Sequence, residues 1–371
     1  MNLLLNIGTK LALACLFAGS NIYGQDNHLT AVTEIIRSDS SAEHFGTIVL
    51  ENMNGKIQTL TEGNACKGKS VSDSTIFNIA SCTKTYVATL VLLLQEEGKL
   101  KIDDPVNKYL SIKEMPGLNN SVTIRHLLNH TSGLPDFSPT ADYVDAMLDS
   151  SQTYDRKDIF SFLEESDSSQ AGSKFSYNNV GYVLLGLITE KVSQLPLDKA
   201  IEQYIGSRVD LGKTYFHFPT NERYAACPGY ELLDSDSARR INYINMDNLS
   251  YAAGNIYTTA YDLDRFVRAL FIDKTILSSA SLQEMQSVFK FSQKSENGMG
   301  LGVFVTNVGS TKMYSHTGRY LMGYTSAYAC FPELNYSVVI YRNNIILDYS
   351  KKSNLPNKIL SYLIKNRVLK E

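Results

Sequence analysis

The chain is short of almost everything that marks a nucleic-acid, metal or membrane protein. Its formal charge is only −3 and no basic run occurs, so nucleic acid is not an expected partner. It has no stretch of about 18 uninterrupted apolar residues, which removes a conventional membrane-spanning helix. No Cys/His cluster has zinc spacing, so no structural or catalytic metal and no other cofactor is expected. No internal repeat is evident. Cysteines number five, and Cys15 stands apart in the N-terminal segment. The other four, Cys66, Cys82, Cys227 and Cys330, permit disulfides in an exported protein without establishing them. Cys82 reads as a small buried residue within a helix.

What is present is length and apolar content. With 371 residues and 43% hydrophobic composition, the chain can bury a large core and hold two or three domains. At the N-terminus Lys10 precedes an apolar run at 11–19, followed by polar Gln25-Asp26-Asn27-His28. Residues 1–24 resemble a secretory signal peptide cleaved between Gly24 and Gln25. A lipoprotein anchor through Cys15 is the less favoured alternative, because the apolar run continues past it. The expected location is therefore periplasmic or secreted.

Further along, Thr47-Ile48-Val49-Leu50 and Ile57-Gln58-Thr59-Leu60 flank Asn54-Gly55, a tight-turn signal that predicts a hairpin over 45–62. A helix is expected from Ser81 to near Gly98. Residues 112–251 read as helical and loop-rich, with a solvated acidic patch at 164–169. Strand alternation returns at 303–305, 325–329 and 337–341, and a terminal helix is expected over 357–366. Strands at both ends around a helical insert predict a sheet domain (25–111 and 251–371) interrupted by a mainly helical one (112–250).

Three elements carry chemistry. The first is Phe77-Asn78-Ile79-Ala80-Ser81-Cys82-Thr83-Lys84, entering an apolar helix. Residues three apart share a helix face, so the Lys84 amine can lie against the Ser81 hydroxyl. A serine needs an adjacent base to become a nucleophile, and a desolvated lysine can serve. The helix start adds free N–H groups and a positive dipole end. Ser287-Val288-Phe289-Lys290 has the same spacing, so the pair alone decides nothing. The second element is Tyr177-Asn178-Asn179, ahead of an apolar run. Its tyrosine can relay protons, and its asparagine can hold a lysine or a substrate carbonyl. Tyr243-Ile244-Asn245 and Tyr341-Arg342-Asn343 compete with it and read as packing residues in strands or loops. The third is Ser315-His316-Thr317-Gly318, after a strand expected through Met313 and before one starting near Gly323. A donor on an edge strand, with a glycine for close approach, suits an extended substrate. His44-Phe45-Gly46 is its competitor.

Ser-x-x-Lys, then Tyr-x-Asn, then His-x-Gly on a strand, in that order, resembles the serine β-lactamase and penicillin-binding protein superfamily. Supporting stretches are Thr123-Ile124-Arg125-His126-Leu127-Leu128-Asn129-His130-Thr131-Ser132-Gly133-Leu134-Pro135, the run 253–263 and Gly298-Met299-Gly300-Leu301-Gly302. The likeness covers roughly residues 45 to 345 and is nearest the class C β-lactamase-like branch, which includes D,D-carboxypeptidases and esterases. It implies an α+β fold, an antiparallel sheet flanked by helices with an inserted mainly helical domain. It also implies that Ser81 attacks an acyl carbonyl while Lys84 and Tyr177 share the general-base role. Asn179 would position substrate or Lys84. The N–H groups of Ser81 and of Arg319, the residue after Gly318, would hold the oxyanion.

The departure from the pattern is His316, where penicillin-recognising members usually carry lysine. A histidine is mostly neutral at neutral pH, so it donates a hydrogen bond but holds a carboxylate less well. Arg319 would restore the charge if its side chain turned into the cleft. The leading expectation is thus an exported serine hydrolase for a small peptide, amide or ester, the peptidoglycan stem peptide included, of D-alanyl-D-alanine carboxypeptidase-like or β-lactamase-related type. An esterase of the same fold and a non-catalytic cell-wall binding or sensor protein are the alternatives.

Overall fold

Asn54 and Gly55 both take positive φ, 55° and 82°, as a two-residue type I′ hairpin turn requires. They join β1 (Thr47–Met53) to β2 (Lys56–Glu62), with Met53 opposite Lys56. The computed structural model describes residues 27–39, 45–111, 118, 120–137, 141–149, 151–163, 170–219, 225–227, 243–320, 323–344 and 355–369. The expected leader with Lys10 and Cys15, the competing His44 and the acidic patch at 164–169 lie outside these residues.

The other edge of β1 is covered by the last strand of the sheet. After β3 (Phe289–Lys290), β4 (Gly298–Met299), β5 (Phe304–Val308), β6 (Thr311–Tyr320) and β7 (Tyr324–Phe331) comes β8 (Tyr336–Arg342). Thr47 pairs with Arg342 and Met53 with Tyr336. The result is an eight-stranded antiparallel sheet in the order β2-β1-β8-β7-β6-β5-β4-β3. The α+β architecture with a flanked antiparallel sheet is as expected.

Both faces of the sheet are covered, so its strands alternate between two cores. Tyr328 and Cys330 of β7 point into the larger core, while Ala327, Ala329 and Phe331 meet the smaller one. The smaller core is closed by α1 (Asn27–Arg37) and α6 (Leu355–Leu363). The larger contains α2 (Thr83–Glu96), α3 (Val180–Ser193), α4 (Tyr243–Gly254) and α5 (Ala260–Phe271). Every residue of α2 from Thr83 to Leu94 is buried. A helix apolar on all sides has no solvent face and must sit centrally. It stops just before Gly98, whose φ of 71° suits the left-handed step after a helix.

Three expectations need correction. Tyr243-Ile244-Asn245 opens helix α4 rather than lying in a strand or loop. Its packing role does hold, since the buried Asn245 amide donates to the carbonyls of Ala146, Asp149 and Gln152. The strand expected to end at Met313 continues to Tyr320, so the third element lies inside it. The terminal helix begins at Leu355 and finishes as a wider turn over Ile364–Val368. No helix among the described residues is long and apolar enough to cross a membrane.

Cys66 and Cys227 are disulfide-bonded, with Cα atoms 5.2 Å apart, whereas Cys82 and Cys330 are free and buried. The bridge spans 161 residues of sequence. Closing so long a loop stabilises chiefly by restricting the unfolded chain, by about 2–5 kcal/mol. The double variant Cys66→Ser, Cys227→Ser should unfold about 3–6 °C lower in a thermal melt. The parent in reductant should match it, whereas equal melting points with and without the bridge would remove this role.

Candidate active site

The site begins with a strained turn. Ala80, a non-glycine residue, has φ of 47°, and Asn78 Oδ1 accepts its N–H at 2.7 Å. Such a conformation persists only when its surroundings over-determine it. Ser326 Oγ donates to the Ile79 carbonyl at 2.6 Å from the other side. Gly318 on β6 comes so close that a Cβ there would lie 2.2 Å from the Ile79 oxygen. The glycine of the third element is therefore what lets the strand meet the turn. Ser81 follows, half-buried, in a short 3-10 turn over Ala80–Cys82, and α2 starts at Thr83.

One turn on, Lys84 is completely buried. Its Nζ donates to Ser81 Oγ at 3.1 Å, Asn179 Oδ1 at 2.9 Å and the Ala253 carbonyl at 2.6 Å. The last acceptor depends on a break in α4, where Tyr251 takes φ 37°, ψ −130° and redirects the chain before Ala253. Asn179, at the start of α3, is held in turn by Asp136, which accepts from its N–H and its side-chain Nδ2, both at 3.0 Å. Desolvation lowers the Lys84 pKa to about 7, and the Asp136 charge opposes that shift. Burial also raises the Asp136 carboxyl above the usual range. An amine balanced near neutrality and touching a serine hydroxyl can take its proton.

Tyr177 lies on the open side. Its ring centroid is 5.1 Å from Lys84 Nζ and stacks on His130 at 4.2 Å. Its hydroxyl is buried with no hydrogen-bond partner of standard geometry among the described residues. Burial raises the phenol well above its ordinary pKa, an effect that the nearby Ser81 hydroxyl opposes. The group therefore keeps its proton throughout the physiological range. His130 is buried, and its Nδ1 accepts the Asn178 N–H at 3.1 Å, which orients the Tyr177-Asn178-Asn179 element.

His316 is also buried, with Nδ1 2.8 Å from the Thr317 carbonyl. Burial, and then the neighbouring Lys84 charge, lower its pKa to about 3, so the ring is neutral. β5 pairs with β6 only as far as Ser315, so beyond it β6 borders the cleft. Arg319 is exposed, and strand alternation puts it on the face opposite His316 and Gly318. A cavity of about 1180 Å³ reaches both sides of this edge, touching Ser81, Tyr177, Asn179, His316 and Arg319. Ser81, Lys84, Tyr177, Asn179, His316 and Gly318 thus converge, while Arg319 lines the same cavity from the opposite face of the strand.

The competing Ser287 and Lys290 are both exposed, and Lys290 pairs with Glu296 at 2.6 Å. Two contributors went unread in the sequence. Asp136 directly follows Leu134-Pro135, and an acid at the end of that stretch was the available signal. The Ala253 carbonyl left no signal, because every residue has one. Among the described residues no three His, Cys, Asp or Glu side chains converge as a metal set would require.

The Lys84 balance predicts that acylation of Ser81 is carried by the neutral amine and rises with pH through about 7. Asp136→Asn removes the charge that favours the protonated form, so the rising limb should move to lower pH. The lost charge-assisted bonds to Asn179 should slow acylation roughly 10–100-fold. A limb that stays put in the variant, in stopped-flow acylation across pH 5–9, would separate Asp136 from Lys84.

A family model described as beta-lactamase matches residues 45–344. The chain is 29% identical over 239 residues to a beta-lactamase of Providencia stuartii, covering 64% of this chain and 58% of that protein. It is 30% identical over 265 residues to penicillin-binding protein 4* of Bacillus subtilis (strain 168), covering 67% and 57%. The match thus spans under three fifths of the length of each of these two relatives. Among solved structures, the D-amino acid amidase of Ochrobactrum anthropi SV3 complexed with D-phenylalanine superposes with a TM-score of 0.74 at 23% identity, over 91% of this chain and 98% of that one, a likeness of fold. With the family match running over most of its length and the same fold beneath it, the chain belongs to the beta-lactamase family.

Proposed function

We propose that the protein is an exported serine hydrolase that forms an acyl-enzyme on Ser81 and acts on amides and small peptides of D-configured residues, the class that includes peptidoglycan stem peptides. The observation that carries this reading is the 3.1 Å hydrogen bond between Ser81 Oγ and a fully buried lysine poised near neutrality. A binding or sensor protein has no use for so costly a group beside a serine. The D-amino acid amidase likeness supports the substrate class. The neutral His316 supports esters as a second class, since esters bring no carboxylate to be held.

In this mechanism neutral Lys84 takes the Ser81 proton as Oγ attacks the substrate carbonyl. The Ser81 and Arg319 N–H groups hold the oxyanion. Asn179 and Asp136 keep the amine aimed at Oγ. Tyr177, protonated at rest, passes its proton to the departing nitrogen and takes one back from the Lys84 ammonium. The C–N bond breaks, the amine leaves, and water attacks the acyl-enzyme with Lys84 again as base, returning Ser81 and a carboxylic acid.

Export is supported by the leader-like residues 1–24 and by the Cys66–Cys227 disulfide, a bond of oxidising compartments. The cleft falls, on this reading, between the sheet part (25–111 and 251–371) and the helical part (112–250).

A short p-nitrophenyl ester tests the chemistry without a charged recognition group. Intact mass spectrometry should find one acyl group on the parent and none on Ser81→Ala, with nitrophenol release about 10⁴–10⁶-fold slower in the variant. Equal release by the two proteins would overturn the assignment.

A further inference from the structure

A second aromatic ring lies against the Lys84 amine. The Tyr182 centroid is 5.4 Å from Nζ, close to the 5.1 Å of Tyr177. Tyr182 sits in the first turn of α3, three residues after Asn179, whose carbonyl accepts its N–H at 2.9 Å. Residues so spaced share a helix face, so the amide of one and the ring of the other reach the same atom. The ring is completely buried, and burial holds its phenol well above the ordinary pKa, so it offers a π face and no charge. Its hydroxyl is employed elsewhere, donating to the Leu128 carbonyl at 2.8 Å. That carbonyl also accepts the Gly302 N–H at 3.1 Å.

What such a face does depends on the state of the amine. The three protons of a charged Lys84 go to the Ser81 hydroxyl, the Asn179 amide oxygen and the Ala253 carbonyl. All three acceptors are uncharged, and among the described residues no carboxylate touches Nζ. Asp136 acts through Asn179. A ring quadrupole attracts an ammonium, most strongly where water is excluded, and gives a neutral amine little. Tyr182 therefore favours the charged form selectively and opposes the desolvation that lowers the Lys84 pKa. The ammonium is also what proton transfer from Ser81 produces, so the same face stabilises the product of that step.

Building on the hydrolase reading above, we infer that Tyr182 is a positioning residue for the acylation step. Its ring face holds the Lys84 ammonium and sets the pH at which the amine becomes a base for Ser81. Losing the face has two effects that pull apart. The amine sheds its proton at lower pH, yet it is a weaker base when it takes the Ser81 proton. A residue that only fills the core has no reason to move the pH limb.

The test is acylation by the p-nitrophenyl ester, followed by stopped flow across roughly pH 5–9, on the full chain with three replacements at this one position. Tyr182→Phe keeps the face and drops the hydroxyl, leaving the Leu128 carbonyl its Gly302 donor. A trifluorinated phenylalanine keeps the size and drains the face, and Tyr182→Leu removes the ring. The rising limb should stay with the parent in Tyr182→Phe. In Tyr182→Leu it should lie about 0.4–1.5 pH units lower, with a plateau about 2–30-fold slower. The fluorinated ring should fall between, and it decides the matter on its own if the leucine variant does not fold. A fluorinated ring that leaves the limb where Tyr182→Phe has it overturns the inference. So does a Tyr182→Phe limb that moves as far as the leucine one, because the hydroxyl would then be the working group. The two readings fail separately. If the parent takes up no acyl group on Ser81 from that ester, the hydrolase reading itself fails. The lysine Cε resonance that titrates near neutrality, followed by NMR in the same four proteins, then still tests the contact. Its midpoint should follow the same order, and a midpoint indifferent to the ring, or no such resonance, overturns the inference.

Discussion

The structure turns on one awkward object, a lysine amine with no access to water. An unpaired ammonium in such a place is prohibitively expensive, so its partners are requirements of the fold. They come from three separate regions: a serine on the turn before α2, an asparagine at the start of α3 and a carbonyl at the end of α4. Asp136 stands behind the asparagine and tempers the desolvation. Helices that share a core are thereby registered against one another at a single atom. The pKa near 7 is the visible balance of these terms.

Strain concentrates around the same atom. Ala80, His130 and Tyr251 all have positive φ without being glycine. Each sits where the chain must deliver a group to the site: the serine turn, the histidine that orients Asn178, and the bend before Ala253. Rigid neighbours hold them there. Ser326 and Gly318 clamp the first, and Gly186 gives the Tyr251 ring room, since a Cβ at 186 would lie 2.5 Å from it. Side chains in adverse backbone conformations are tolerated where the surrounding packing is firm.

Much of this was legible from residue order. Asn54-Gly55 announced its hairpin because few other pairs accept two positive φ values in succession. The three-residue spacing of Ser81 and Lys84 became a contact because a helix fixes that distance. Other parts were hidden for physical reasons. The Ala253 carbonyl has no residue identity to read. The state of His316 depends on which oxygen its ring meets, and no spacing encodes that. Tyr243-Ile244-Asn245 misled because three residues carry too little pattern to distinguish a helix start from a loop. Asp136 was reachable, but only by asking what neutralises a buried amine.

The pairing of β1 with β8 has a further consequence, for timing. The stretch from β1 to Ser81 and Lys84 is made early, yet the partners of its Ser81 end include residues 179, 253 and 318, and those of β1 reach to Arg342. Contacts so distant in sequence form late and slowly. In the unfinished chain Lys84 is an ordinary hydrated lysine, fully protonated near neutral pH and useless as a base. The serine beside it is then as inert as any other hydroxyl. On the proposed mechanism, reactivity is therefore absent from the nascent or unfolded polypeptide and arises only when the two ends of the sheet have closed on each other.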